Sequence, residues 1–300
     1  MCGLFGFADP QHRLTANRKT RLLTALANAA EVRGTDAAGA AYNHGGRLCI
    51  YKRPWPAHMM HFRIPEEAAA VMGHTRMTTQ GNEKRNYNNH PFRGCAGGQE
   101  FALAHNGMVS NDLALRQELA LPATRIETDS YVAVQLLDRE QHLNLQSLQA
   151  MAERLRGMFT ITVLDGDDNL YLLKGNNPLT LCHFPKAGVY CYASTWDILH
   201  HALRQAGAKL GASREIAMKE GDILRINRRG ELTWGKFKTD HLRERWGHSF
   251  WAPLAEDIGY WNELKSIAGL FGCTPGDIDQ LRREGFSPEE VEDSFYCGVF

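Results

Sequence analysis

Apolar β runs fall in clusters along this chain, with paired helical segments between them, and that grouping decides the fold class. A regular βαβ winding would alternate single strands with single helices. Clustered strands with paired helices point instead to layered sheets covered by helices on the outside. The strand segments are 3–8, 39–43, 47–52, 71–76 and 101–106, then 158–165, 169–174, 179–184 and 189–193, and finally 222–227 and 231–237. Helical periodicity places Leu22, Leu23, Leu26 and Ala30 on one side of a helix over 17–31. Further helices are expected over 111–120, 129–139, 146–156 and 196–206. The polar stretch 77–100 lacks periodicity, and a loop this long inside a compact domain is functional or mobile.

After about residue 240 the character changes. Trp234, Trp246, Trp251 and Trp261 follow one another closely, and the last part of the chain is helical in pattern. Ser287-Pro288-Glu289-Glu290 reads as a helix start, with a serine cap, a proline in the first turn and a glutamate three residues on. We expect a main domain over 1–240 and a mostly helical extension over 241–300.

The 34 basic and 34 acidic residues cancel, so no net field favours nucleic acid or an anionic membrane. No stretch reaches the roughly 18 apolar residues of a membrane span, and the N-terminus lacks the basic and apolar regions of a signal peptide. A cytoplasmic protein is expected. The seven cysteines are scattered and form no C-x-x-C pair, which argues against a zinc site or a disulfide framework. No metal and no cofactor are expected.

Cys2 stands apart from the other cysteines. Once Met1 is removed, one residue carries both a thiol and a free α-amine, and aminopeptidases trim methionine when the next residue is small. The reference pKa values, about 7.7–8 for the amine and about 8.5 for the thiol, let the amine accept the thiol proton near neutral pH. With Met1 attached there is no free Cys2 amine, so the catalyst would be the chain that starts at Cys2.

Four further segments combine polar residues with glycine or proline. In Gly73–Gly81, Arg76 stands at a strand end and could grip a carboxylate with two parallel hydrogen bonds, or pair with an acidic side chain. In His105-Asn106-Gly107 a strand is expected to break into a turn. There the Asn106 amide and the Gly107 N–H offer two converging donors, as an oxyanion requires, although an ordinary Asn-Gly turn has the same sequence. Glu127-Thr128-Asp129 opens a helix, where acidic groups complement the macrodipole and Asp129 could hold an ammonium group. Asn88-Asn89-His90-Pro91-Phe92 sits in the long polar loop, where the proline shapes the chain and His90 fits a structural role. Together these supply a nucleophile, a base, an oxyanion hole, a carboxylate clamp and an ammonium acceptor, a set suited to the side-chain amide of a free amino acid.

In order along the chain, Met1-Cys2-Gly3, Arg33–Gly39, Gly73-His74-Thr75-Arg76, Asn89-His90-Pro91, His105-Asn106-Gly107, Glu127-Thr128-Asp129 and Arg156–Phe159 resemble the class II glutamine amidotransferases. Gly175–Leu179, Tyr192-Ala193-Ser194 and Glu220–Ile223 fit the second half of that pattern, so the resemblance covers residues 1 to about 230. The resemblance implies an α+β fold of the N-terminal-nucleophile hydrolase type, a four-layer αββα sandwich with two packed antiparallel sheets. It also implies roles: Cys2 as nucleophile with its own amine as base, Arg76 and Thr79 on the glutamine α-carboxylate, and Asp129 on the α-amino group. Asn106 and the Gly107 N–H would form the oxyanion hole, with Gly107 close to substrate. Attack would give a γ-glutamyl thioester and ammonia, then glutamate.

Met77 and Gln80 depart from the synthase-like pattern, which has an aromatic residue and often a histidine there, and this bears on loop closure rather than on bond making. Ammonia would go to a separate partner synthase, for which the tryptophan-rich region is either a docking surface or a structural cover. Two other readings remain: a cysteine hydrolase of another amide, which Arg76 and Asp129 disfavour, and a non-catalytic glutamine sensor or scaffold.

Overall fold

The computed structural model describes residues 2–242, 258–284, 286 and 288–297. Met1, Trp246, Trp251 and Ser287, the expected helix cap, lie outside the described residues. Contacts group the chain into two compact units, Met1–Glu244 and Arg245–Phe300.

In the first unit the strands up to the middle of the chain are β1 (Gly3–Ala8), β2 (Ala37–His44), β3 (Arg47–Arg53), β4 (Ala70–Arg76), β5 (Phe92–Ala96), β6 (Gln99–Val109) and β7 (Gly157–Asp165). Then come β8 (Leu170–Leu173), β9 (Thr180–Phe184), β10 (Val189–Ala193), β11 (Arg214–Glu215), β12 (Asp222–Ile226) and β13 (Leu232–Lys236). The helices are α1 (Ala16–Ala30), α2 (Asp112–Glu118), α3 (Tyr131–Asp138), α4 (Leu145–Arg154) and α5 (Trp196–Gln205).

Two antiparallel sheets form, one of seven strands in the order β11-β9-β10-β1-β4-β2-β3 and one of six in the order β13-β12-β8-β7-β6-β5. Strand β1 shows how they are layered. Its side chains alternate, so Phe5 and Phe7 join the cluster containing Leu22, Leu26, Ile198 and Leu199 of α1 and α5. Leu4 and Ala8 point the other way, into a cluster shared with Ala102, Ala104, Leu164 and Leu172 of the second sheet. On the far side of that sheet, Val132, Leu136, Leu148 and Met151 of α3 and α4 pack on Phe101, Leu103 and Ile161. The layers are helix, sheet, sheet, helix, the four-layer α+β sandwich that the motifs imply.

Two expectations are corrected. Residues 77–100 are not one loop, because β5 pairs with β6 from Phe92↔Leu103 to Ala96↔Gln99. The hairpin escapes notice because Phe92, Gly94 and Ala96 form its buried face, and glycine and alanine carry little apolar signal. Gly97 and Gly98, at φ +55° and +89°, make the two-residue turn and were its one legible sign. Nor does the strand break at Asn106-Gly107: β6 runs on to Val109, pairing Asn106 with Thr160 and Gly107 with Phe159. Gly107 has φ +136°, and a Cβ there would stand 2.0 Å from the Met158 carbonyl, so the glycine serves close strand pairing instead of a turn.

The second unit contains helices α6 (Ile258–Ile267), α7 (Pro275–Arg283) and α8 (Pro288–Cys297). Trp261 is buried within it, beneath the Arg282 guanidinium at 5.7 Å from the ring centre. No described helix is long and apolar enough to cross a membrane.

Phe7→Ala removes a fully buried ring from the helix–sheet layer and is expected to cost about 3–5 kcal/mol in urea unfolding. A loss below about 1 kcal/mol would contradict this packing.

Candidate active site

One hydrogen bond between the two sheets joins interior strands, β4 and β6. His74 of β4 donates from Nε2 to the His105 carbonyl of β6 at 3.0 Å, and both residues are buried. Arg76 lies two residues beyond His74, and Asn106 and Gly107 directly follow His105. The polar ends of the two strands are thereby held together.

Cys2 precedes β1, whose Gly3 pairs with Thr75, so the register carries Cys2 toward Arg76. The half-buried thiol faces the Met77 carbonyl at 3.5 Å, and the Cys2 carbonyl accepts from Arg33 Nε at 2.9 Å. Burial pushes the thiol pKa up, while the charges of Arg76 and Arg33 oppose that shift. The thiol therefore needs a base to become a nucleophile.

Arg76 is buried and uses its donors on neutral oxygens: Nη1 on Asn89 Oδ1 at 2.6 Å, and Nη2 on the carbonyls of Gln80 at 2.6 Å and Gly81 at 3.5 Å. Among the described residues it forms no ion pair with an acidic side chain, the alternative open to it from sequence. Burial works against its charge, and Cys2, Glu83, Asp36 and Asp129 favour it. The guanidinium thus shares a field with both Cys2 and Asp129.

Thr79 is exposed and carries no described hydrogen bond. Its neighbour Thr78 donates its N–H to Asp36 Oδ2 at 2.6 Å and buries a hydroxyl without a partner. Met77 and Gln80, the two departures from the family pattern, present their backbone carbonyls to Cys2 and Arg76.

Asn106 is fully buried, and among the described residues neither its Oδ1 nor its Nδ2 has a hydrogen-bond partner. Its own carbonyl accepts from Asn177 Nδ2 at 2.9 Å. Leaving such groups unpaired costs about 1–3 kcal/mol each, which suits a site completed by a ligand. Asp129 stands buried just before α3 and accepts from the Val109 N–H at 2.5 Å, three residues along β6 from Asn106. His105 Nδ1 meets the Ser130 hydroxyl at 2.7 Å beside it.

His90 stacks between His74 and Phe92, with ring centres 4.2 and 4.3 Å away. Among the described residues no three His, Cys, Asp or Glu side chains are placed to hold a metal ion. Sequence reasoning assigned no role to Arg33, Asn89 or Lys52, which hold Cys2, Arg76 and the 89–91 turn respectively. For Asn89 and Arg33 the motifs were visible, but not what each one grips.

A sequence profile described as a glutamine amidotransferase domain matches residues 74–201. The glutamine–fructose-6-phosphate aminotransferase (isomerizing) of Streptomyces coelicolor is 33% identical over 285 residues, covering 89% of this chain and 42% of that protein. That of Halobacterium salinarum is 29% identical over 260 residues, covering 80% of this chain and 41% of the relative. The chain thus spans less than half the length of these relatives.

Among solved structures, the glutamine phosphoribosylpyrophosphate amidotransferase of Bacillus subtilis, complexed with ADP and GMP, superposes with a TM-score of 0.61 at 21% identity. It covers 81% of this chain and 50% of that one. A structure described as the allosteric regulatory enzyme of purine biosynthesis gives 0.63 at 19% identity, with the same coverage of each chain. These two likenesses speak to the fold. Fold and matches together define the class: an N-terminal-nucleophile hydrolase fold in which residues 74–201 match an amidotransferase domain. More particularly, the chain carries a class II glutamine amidotransferase domain.

The histidine cluster has a stability consequence. Burial lowers the pKa of His74 to about 3, that of His90 well below its usual value, and that of His105 also. The unfolded chain binds protons at these sites from about pH 6.5 downward, whereas in the folded chain that uptake is displaced to lower pH, for His74 to about 3. Stability is therefore full above about pH 6.5 and falls as pH drops toward 3, by up to about 1.4 kcal/mol per pH unit for each histidine. Urea midpoints across this range test it, and His90→Gln is expected to flatten the slope.

Proposed function

We propose that this domain hydrolyses the side-chain amide of glutamine through a γ-glutamyl thioester on Cys2, releasing ammonia for an acceptor held by a partner synthase. The observation that carries the reading is Arg76, a buried guanidinium whose hydrogen bonds among the described residues all go to neutral oxygens and which lies in the field of both Cys2 and Asp129. A free α-amino acid brings a carboxylate for Arg76, assisted by Thr79, and an ammonium group for Asp129. Its side-chain amide then reaches toward Cys2.

In the chain that starts at Cys2, the α-amine takes the thiol proton and Sγ attacks the amide carbon. The developing oxyanion receives hydrogen bonds from Asn106 Nδ2, which has no other described partner, and from the Gly107 N–H. Collapse breaks the C–N bond, and the amine returns its proton to the departing ammonia. Water, activated by the same amine, then adds to the thioester and leaves glutamate and the free thiol. Because burial raises the thiol pKa, the internal base is needed in the first step.

A diazo-ketone analogue of glutamine is expected to label Cys2, read as added mass on the N-terminal peptide of chain lacking Met1. Absence of label on protein with a confirmed free Cys2 amine would contradict the reading. Asn106→Ala is expected to lower kcat about 10²–10³-fold with little change in KM.

A further inference from the structure

Lys52 has no part in the chemistry above, yet it is joined to Arg76 through a single residue. It lies on β3 opposite Gly39 of β2, and the segment 89–91 crosses over this pair. Gly39 permits the crossing, since a Cβ there would stand 2.3 Å from the His90 carbonyl and 2.9 Å from Pro91 Cδ. Lys52 Nζ donates to the Asn89 carbonyl and, at 3.0 Å, to that of Pro91, and it sits 5.0 Å from the Phe92 ring centre. The Lys52 carbonyl accepts from Asn86 Nδ2 at 3.0 Å. The Asn89 side chain is then gripped at both ends, accepting from Arg76 Nη1 at 2.6 Å and donating to the Glu83 carbonyl at 2.8 Å. Asn88 ties the same loop to Glu127, with contacts of 2.8 and 2.9 Å, two residues before Asp129.

The charged and titratable groups around the ammonium are Arg76 and His74 from β4, His90 from the crossing segment, and Arg53 beside it on β3. Both histidines have lowered pKa values and are neutral near pH 7. Lys52 has no described ion pair with a carboxylate.

We propose that Lys52 is a positioning residue for the carboxylate site: its Nζ fixes the turn that holds Arg76, and its protonation is linked to occupancy of that site. The proposal rests on the reading of Arg76 as the holder of the substrate carboxylate. Burial, then the charge of Arg76, lowers the Lys52 pKa to about 7, so the group titrates near neutral pH. A carboxylate bound at Arg76 offsets that charge and draws a proton onto Lys52. By reciprocity, protonated Lys52 strengthens binding by the same factor, about tenfold for each unit by which the pKa rises.

The test measures KM for glutamine between about pH 6 and 9 in the wild-type chain, Lys52→Arg and Lys52→Met. Alongside, calorimetry of glutamine binding to the full-length Cys2→Ala chain, in buffers of different ionisation enthalpy, counts protons taken up. In the wild type KM is expected to rise up to about tenfold with pH and binding to take up a proton near neutrality. Lys52→Arg, which keeps its charge, is expected to hold the low KM throughout. Lys52→Met is expected to show the high KM throughout, and introduced into the Cys2→Ala chain to abolish the uptake.

A Lys52→Met chain with the wild-type pH profile and uptake would overturn the proposal. If that variant does not fold, a Lys52→Arg chain following the wild-type pH curve overturns it. Arg76→Ala separates the two readings: unchanged glutamine affinity there removes the carboxylate clamp itself. Lost affinity with an inert Lys52→Met chain removes the role of Lys52 alone.

Discussion

The hydrogen bond from His74 Nε2 to the His105 carbonyl is the constraint on which the site depends. Two sheets packed through leucine and alanine side chains could slide against one another, because apolar contacts carry little directional information. A buried polar bond between interior strands of the two sheets favours one register, since breaking it strands an imidazole N–H and a carbonyl away from water. That register places Arg76 at the end of one strand near Asn106 and Gly107 on the other.

Around this bond, buried Arg76 and half-buried Lys52 turn their described hydrogen bonds to neutral oxygens. Arg33 holds the Cys2 carbonyl, and Arg76 holds Asn89 and the loop carbonyls of Gln80 and Gly81. Lys52 holds the carbonyls of Asn89 and Pro91. Burying guanidinium and ammonium groups against neutral oxygens is costly without a counterion. The Asn106 amide, with no described partner at either Nδ2 or Oδ1, adds a demand for an acceptor and for a donor. Under the proposed reading, the carboxylate and the side-chain amide of a free amino acid answer these demands.

The residues to which the proposal gives roles, Cys2, Arg76, Asn106 and Asp129, were legible in the sequence because they sit in short segments close to the ends of strands or the start of a helix. Leu22, Leu23 and Leu26 likewise marked the face of α1 that meets the sheet. What was hidden depends on pairing between distant segments. The role of Lys52 arises only when a turn 37 residues away crosses Gly39. Strand β5 was hidden by glycine and alanine on its buried face, and the continuation of β6 by an Asn-Gly pair that more often marks a turn. Thr79, named through the resemblance, is exposed beside a Thr78 whose buried hydroxyl lacks a partner.

The central claim is that Cys2, with its own amine free, forms a covalent bond to the glutamyl group. Acid quenching of the Met1-free chain during turnover of isotopically labelled glutamine, followed by mass spectrometry of the N-terminal peptide, tests it directly. The account expects a labelled γ-glutamyl thioester on Cys2 that disappears on treatment with hydroxylamine. Steady release of glutamate and ammonia with no label on Cys2 at any quench time would contradict it.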